Sequence, residues 1–246
     1  VTVLEAMPRI LQRVTAPEVA AFYARVHAEE GVNIISDVQA VSISGEKRAE
    51  AVICQNGAEY PADIVIIGVG VIPNTALAES AGLQVDNGIV VDEFARTSDH
   101  DILAAGDCTS HFNPIYQRHL RLESVQNASD QASVAAATLC GNLNPYSALP
   151  WFWSDQYDLK LQIAGLSQGY TDVVIRGDIN GSRSFAAFYV NEGKLLAVDA
   201  VKRPQDFMLG KRLIVQNSPL DMNKLADDNV PLKTLLVSYT KPFLHF

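Results

Sequence analysis

Three stretches of this sequence carry residue types that can do more than pack. In Gly68-Val69-Gly70-Val71-Ile72-Pro73-Asn74, two glycines and a proline follow directly on an aliphatic run. That is the composition of a turn closing a buried strand. In Leu103-Ala104-Ala105-Gly106-Asp107, small side chains leave room beside the chain and the glycine permits a sharp turn. The Asp107 carboxylate can accept hydrogen bonds from sugar-type hydroxyls. An Ala-Ala-Gly-Asp run is weak by itself, but downstream of the glycine-rich turn it becomes specific. Both tryptophans, Trp151 and Trp153, fall within Pro150–Gln156, a pair that taken alone more usually packs a core.

Metal and disulfide chemistry are not written into the chain. Its three cysteines, Cys54, Cys108 and Cys140, are far apart with no C-x-x-C, so neither a disulfide framework nor a thiolate zinc site is expected. The compartment implied is a reducing one, the cytoplasm. The five histidines never fall at H-x-x-x-H spacing. His111 and His119 flank an expected loop and read as loop or surface residues.

The elements that would position these residues follow from periodicity. Val1–Glu5 is β-branched and reads as a buried strand. Thr15-Ala16-Pro17-Glu18 matches a capping box with proline early in the first turn. Val19, Phe22, Tyr23 and Val26 then recur at helical spacing, and Gly31 stops the helix. Val32–Ile35 reads as the next strand. Val38–Ser44 and Ala49–Gln55, divided by Gly45-Glu46-Lys47-Arg48, read as a hairpin. Asp63–Gly70 is apolar without alternation, the pattern of a strand covered on both faces.

This order is that of a dinucleotide-binding α/β domain from its second strand onward; the G-x-G-x-x-G fingerprint that would precede it is not in the sequence. Glu5 sits where such folds hold an adenosine ribose. A carboxylate there accepts from two hydroxyls and repels a 2′-phosphate, so NAD is expected over NADP, with nearby Arg9 weighing the other way.

Beyond it, Thr75–Ala81 reads as a short helix closed by Gly82, and Ile89–Asp92 as a strand. Thr97–Asp107 reads as a small-residue strand running into the Gly-Asp turn, and Glu123–Gly141 as an Ala- and Gln-rich helix. Strands are expected at Leu159–Gly165, Asp172–Gly177, Ser184–Val190 and Lys194–Val201, and helices at Pro204–Gln216 and Val230–Val237. That is an antiparallel sheet backed by helices, an α+β domain. The expected domains are residues 1–75, 76–149 and 150–246.

With 246 residues, 48% hydrophobic and 19% charged, the chain has enough apolar sequence for a sizeable core, which excludes a disordered protein. No run approaches the roughly 18 apolar residues of a membrane span. The chain opens inside an apparent strand with no leader and is expected to be a piece of a longer protein. Its net charge of −9 is uneven: −4 over residues 1–75, −6 over 76–149 and +1 over 150–246. An acidic body argues against nucleic acid and anionic membrane as partners. Between 202 and 212, Lys202, Arg203, Lys211 and Arg212 face only Asp206, either a solvated face or a surface for an acidic partner.

Together these stretches resemble the two-dinucleotide flavoprotein reductases. Within them the chain is most similar to the FAD- and NADH-dependent ferredoxin reductases of oxygenase systems, the putidaredoxin reductase type. The resemblance covers essentially the whole chain. Its discriminating blocks are Leu122-Glu123-Ser124-Val125-Gln126-Asn127-Ala128 and Pro150-Trp151-Phe152-Trp153-Ser154-Asp155-Gln156, since the wider superfamily shares the two glycine motifs. The lack of a cysteine pair sets it apart from the disulfide reductases of similar architecture.

The resemblance implies roles. Gly106 and Asp107 would hold the ribityl chain of FAD, and Val125 would offer its N–H to the flavin pyrimidine edge. Trp153 would lie beside the isoalloxazine, on a possible electron path. Glu5 and Gly70 would contact NADH. Lys211 and Lys233 would dock an acidic [2Fe–2S] ferredoxin. No acid–base catalytic residue is implied, and a monomer is expected. Both glycine fingerprints are absent, so this length of chain is expected neither to hold FAD tightly nor to turn over alone. Two alternatives stay open: a nitrite or rubredoxin reductase relative, and a flavin-free ferredoxin-docking fragment.

Overall fold

The computed structural model describes residues 1–236, and the chain folds into two units: residues 1–70 with 178–182, and residues 71–177 with 183 onward. In the first, β1 (Thr2–Leu4) pairs in parallel with β2 (Asn33–Ile35), Thr2 opposite Asn33, and the crossover between them is α1 (Pro17–Glu29). Val19, Phe22, Tyr23 and Val26 form its buried stripe, as their spacing predicts. The expected capping box is not made. Ala16 is the N-cap and offers no side-chain acceptor, while the Thr15 hydroxyl donates to the Leu11 carbonyl at 3.2 Å. The local turn at residues 11–15 thus takes the hydroxyl before the helix can use it.

A three-stranded antiparallel meander follows: β3 (Ala40–Ser44), β4 (Ala51–Cys54) and β5 (Glu59–Pro61). Gly45 makes its first turn possible, because at φ +130° a Cβ would lie 1.9 Å from the Arg48 carbonyl oxygen. Residues 178–182 join this unit through Arg25, which donates to the Ile179 carbonyl at 3.1 Å.

Two strand expectations fail here. Asp63–Gly70 forms no ladder, and Ile66 is 92% exposed. A doubly covered strand needs neighbours on both edges, and the parallel sheet of the described residues stops at β1 and β2. For the same reason β1 is not buried: Val1 and Val3 are exposed.

The second unit opens with α2 (Ala76–Ser80) and β6 (Ile89–Val91). Thr97–Asp107 is not a strand; only Arg96 and Leu103 form an isolated bridge. Internal bonds bend this segment instead, among them Thr97 Oγ1 to the Asp99 and Ile102 carbonyls at 2.9 Å. The strand lies after the Gly-Asp turn. It is β7 (Thr109–Asn113), parallel to β6 and antiparallel to β8 (Arg118–Leu120). His111 is therefore a buried strand residue rather than a loop one, whereas His119 is exposed on β8.

Then come α3 (Val125–Leu139) and a five-stranded antiparallel sheet. Its strands are β9 (Trp151–Gln156), β10 (Leu159–Gly165), β11 (Asp172–Gly177), β12 (Phe185–Asn191) and β13 (Lys194–Val201), in the order β11-β12-β13-β10-β9.

One face of that sheet packs on α4 (Pro204–Gln216). Phe188, Val198 and Ala200 meet Phe207, Leu213 and Ile214, each buried side chain contributing about 1.5–3 kcal/mol for the larger apolar types. Gly210 sets the closeness of approach, since a Cβ there would fall 2.5 Å from Val198 Cγ1. The chain ends its described course with α5 (Met222–Ala226) and a 3-10 turn at Leu232–Leu235. That turn replaces the helix expected over Val230–Val237, of which Val237 lies outside the described residues.

Candidate functional site

Gly106 and Asp107 sit in a turn whose backbone atoms are nearly all engaged. Gly106 adopts φ +91°, which favours glycine, and its N–H donates to Gln131 Oε1 at 2.8 Å. Its carbonyl accepts from Thr109 N at 3.0 Å and Thr109 Oγ1 at 2.8 Å. The Asp107 carbonyl accepts from Arg121 Nη1 at 3.4 Å, and the same nitrogen pairs with Glu123 Oε1 at 2.6 Å. The Asp107 side chain is exposed and makes no hydrogen bond among the described residues. Its backbone is held while the carboxylate keeps free acceptor capacity.

The N-terminus of α3 belongs to this site. Ser124 caps it by accepting from Asn127 N at 3.1 Å, which leaves the N–H groups of Val125 and Gln126 without acceptors among the described residues. Val125 is 64% exposed. Free N–H groups at the positive end of a helix dipole favour a ligand atom that carries or gains negative charge.

A buried polar cluster ties turn and helix together. Besides Gly106, Gln131 Oε1 meets Thr109 Oγ1 at 2.8 Å and Asn127 Nδ2 at 3.4 Å, and Gln131 Nε2 faces His111 Nδ1 at 3.2 Å. Asn127 Oδ1 accepts from the Tyr146 hydroxyl at 2.9 Å. Burial, reinforced by the charge of His119, lowers the His111 pKa to about 4, so the ring is neutral at neutral pH. Burial also pushes Tyr146 up to about 12.

Gln126 continues the chain of contacts by accepting from Trp151 N at 3.3 Å. Trp151 stacks on Trp153 with centroids 5.6 Å apart and meets Phe207 edge-on at 6.0 Å. Lys211 Nζ lies 5.3 Å from the Trp151 centroid and 5.5 Å from that of Phe207. Trp153, 44% exposed, is the outer ring of the stack. Lys233 stands exposed on the 3-10 turn, beside buried Leu232. The Lys202–Arg212 cluster is partly neutralised: Lys202 pairs with Asp158, and Arg203 with Asp206 and Asp228.

Glu5 and Gly70 belong to the other unit. Glu5 follows β1, with Oε1 accepting from Met7 N at 2.8 Å, near a cleft of about 330 Å³ lined by Ala6, Asp37, Gln39, Gln55 and Asn56. Arg9 turns to the Gln12 carbonyl at 3.3 Å. Gly70 adopts φ +98° with open space around it, so backbone conformation rather than crowding favours glycine there.

Sequence reasoning missed Gln131, His111, Tyr146 and the whole of β9. One signal was available: Asn127 and Gln131 are amides four apart, on one face of a helix otherwise rich in alanine.

Comparison with known proteins follows the same lines. Residues 1–132 match the pyridine nucleotide-disulphide oxidoreductase family and residues 151–236 the reductase C-terminal family. The chain is 45% identical over 241 residues to putidaredoxin reductase of Pseudomonas putida, covering 97% of this chain and 57% of that protein. It is 42% identical over 237 residues to the ferredoxin–NAD(+) reductase component of the anthranilate 1,2-dioxygenase system of Burkholderia cepacia, covering 96% and 58%. The crystal structure of the covalent putidaredoxin reductase–putidaredoxin complex superposes with a TM-score of 0.90 at 45% identity, over 95% of this chain and 57% of that one. The chain thus spans less than two thirds of the relatives it matches. Since the first of these matches takes in more than half of its residues, the protein belongs to the pyridine nucleotide-disulphide oxidoreductase family.

Proposed function

We propose that this chain supplies the flavin edge, the nicotinamide-nucleotide ribose site and the partner-docking domain of an NADH-dependent ferredoxin reductase serving an oxygenase. The observation that carries the reading is the Gly106-Asp107 turn, held against the N-terminus of α3 with its carboxylate free. The donor set fits FAD: Asp107 accepts from ribityl hydroxyls, and the Val125 N–H is open to the pyrimidine edge. The dipole of α3 favours the negative charge that reduction places there. When bound, FAD supplies the conversion of a hydride from NADH into single electrons for a [2Fe–2S] protein.

Glu5 receives the adenosine ribose, and the local engagement of Arg9 favours NADH over NADPH. Gly70 lets the nucleotide pass close to the backbone. Lys211 and Lys233 meet an acidic ferredoxin, and exposed Trp153 is the contact between flavin and partner. The domain division is 1–75, 76–149 and 150–246, the working form a monomer and the setting cytoplasmic. Among the described residues no helix is long and apolar enough to cross a membrane.

A second reading is favoured by the two-stranded parallel sheet and the exposed Asp63–Gly70 run, which leave the nucleotide-binding unit open. It is a ferredoxin-docking chain that does not hold flavin by itself. Equilibrium titration with FAD, followed by fluorescence and by the visible spectrum after anaerobic NADH, separates the two. Saturable binding abolished by Asp107→Ala supports the reductase reading. A folded chain that binds no FAD but captures an acidic [2Fe–2S] ferredoxin supports the second, and one that binds neither overturns both.

A further inference from the structure

We infer that Gln131 is a positioning residue of the flavin site: its single side-chain oxygen sets the Asp107 turn against the N-terminus of α3. The inference rests on the flavin reading above and adds a residue that touches no ligand. Gln131 is 1% exposed. Its Oε1 faces polar groups from three parts of the chain: Gly106 N at 2.8 Å, Asn127 Nδ2 at 3.4 Å and Thr109 Oγ1 at 2.8 Å, whose one proton is shared with the Gly106 carbonyl. Gly106 is the residue before Asp107, Thr109 opens β7, and Asn127 is the third residue of α3.

Few other contacts can do this work. The far side of Gly106 faces only Ala128, whose Cβ would lie 3.6 Å from a methyl group placed on the glycine, and the Gly106 carbonyl is bonded within its own turn. The bond from Gly106 N to Gln131 is therefore the polar link between turn and helix at this residue. The Gly106 N–H fixes which end of the amide does what: a backbone donor requires Oε1, which leaves Nε2 facing His111 Nδ1 at 3.2 Å and makes that nitrogen the acceptor. Asn127 is held in turn by the Tyr146 hydroxyl and by its own bond to the Leu122 carbonyl at 3.2 Å. Rotating or removing the Gln131 amide would leave Gly106 N–H buried without an acceptor, and the turn would shift to find one.

The test compares Gln131→Met, which removes the acceptor at similar volume, with Gln131→Glu, which keeps it. Each protein is checked for folding by thermal denaturation. FAD affinity is then read by equilibrium fluorescence titration, the fine structure of the bound flavin band by absorbance, and protection of the Gly106 amide by hydrogen exchange. The Met variant should weaken FAD binding about tenfold, the scale of one misplaced contact between Asp107 and the ligand. It should also blur the band and speed exchange at Gly106, while the Glu variant restores all three. A folded Met variant with unchanged FAD affinity and a protected Gly106 amide overturns the assignment. If the unsubstituted protein binds no FAD, the flavin reading fails for this length of chain, and exchange at the Gly106 amide alone decides whether Gln131 holds the turn.

Discussion

The ammonium of Lys211 lies 5.3 Å from the centre of the Trp151 ring, and Trp151 in turn stacks on the exposed ring of Trp153. Lys211 is thus a cation held on aromatic faces beside the outermost ring of the stack. Lys211→Met keeps the aliphatic contact with Trp151 and Phe207 and removes the charge; Lys211→Glu reverses it. Stability should change by about 1 kcal/mol or less, the scale of an exposed cation–π contact. On the proposed docking role, association with an acidic ferredoxin should slow for Met and slow further for Glu, with the differences shrinking as salt is added. Stopped-flow rates against ionic strength check this, and a salt-independent deficit would point to a packing role instead.

Arg176 holds the segment that precedes Lys233. Its guanidinium, almost fully buried, donates to the carbonyls of Leu225 at 3.2 Å, Asp227 at 2.6 Å, Asp228 at 3.3 Å and Val230 at 2.7 Å, and lies 3.3 Å from Asp228 Oδ1. Asp206, kept above the usual carboxylate range by burial, completes the cluster with Arg203. Arg176→Met should cost about 3–5 kcal/mol in urea denaturation, since it strips buried partners of their only common donor. Arg176→Lys can satisfy fewer carbonyls and should fall between the two. Protease cutting near residues 225–230 should rise in the same order.

Much of the second unit was legible because its strands are short apolar, β-branched runs bounded by glycine or asparagine: β10, β11, β13 and α4 fall at the expected residues. β9 was hidden because Trp151-Phe152-Trp153 has no polar alternation to mark a strand. β7 was hidden because Ser110, His111 and Asn113 are polar yet buried: His111 meets Gln131 of α3 and the edge of Tyr146, and Asn113 Oδ1 accepts from the N–H groups of Ile115 and Tyr116. The capping box at Thr15 failed to a competing carbonyl four residues back. At the candidate site, Asp107 was singled out by its Gly-Asp turn and Val125 by the resemblance; the glutamine that joins their elements lies 25 positions from Gly106 and was not.

Two buried groups tilt the pH dependence of stability in opposite directions. His111 is lowered from 6.5 to about 4, so the unfolded chain takes up this proton well before the folded protein does. Stability present above pH 6.5 is therefore lost as the pH falls toward 4. Asp199 accepts from the Tyr189 hydroxyl, yet burial raises it from 3.8 to about 7. The folded protein keeps this proton while the unfolded chain releases it, so stability is lost as the pH rises from about 4 to 7. Each slope is at most about 1.4 kcal/mol per pH unit, and together they nearly cancel between 4 and 6.5. Asp199→Asn should unmask stability that rises with pH over this window, and His111→Gln stability that falls. Urea denaturation at several pH values checks both, and parallel curves for all three proteins would rule the pairing out.

The run Ile64–Ile72 combines high strand propensity with no charge and no proline, and it forms no ladder among the described residues. Ile64, Ile66, Ile67, Val69 and Ile72 are all exposed, so both the backbone edge and the side chains are available to another strand. The expected result for the chain by itself is concentration-dependent association through this segment. Ile66 makes the cleanest probe: at 92% exposure its replacement removes no packing and should change stability by less than about 0.5 kcal/mol. Ile66→Lys places a charge in the middle of the run, where pairing with a second copy would have to bury it or set it against its own image. Light scattering at rising concentration should therefore fall several-fold in the variant, with the melting temperature unchanged. If the two proteins scatter alike, association runs through another surface, and the exposed Trp153 side of the second unit becomes the place to look.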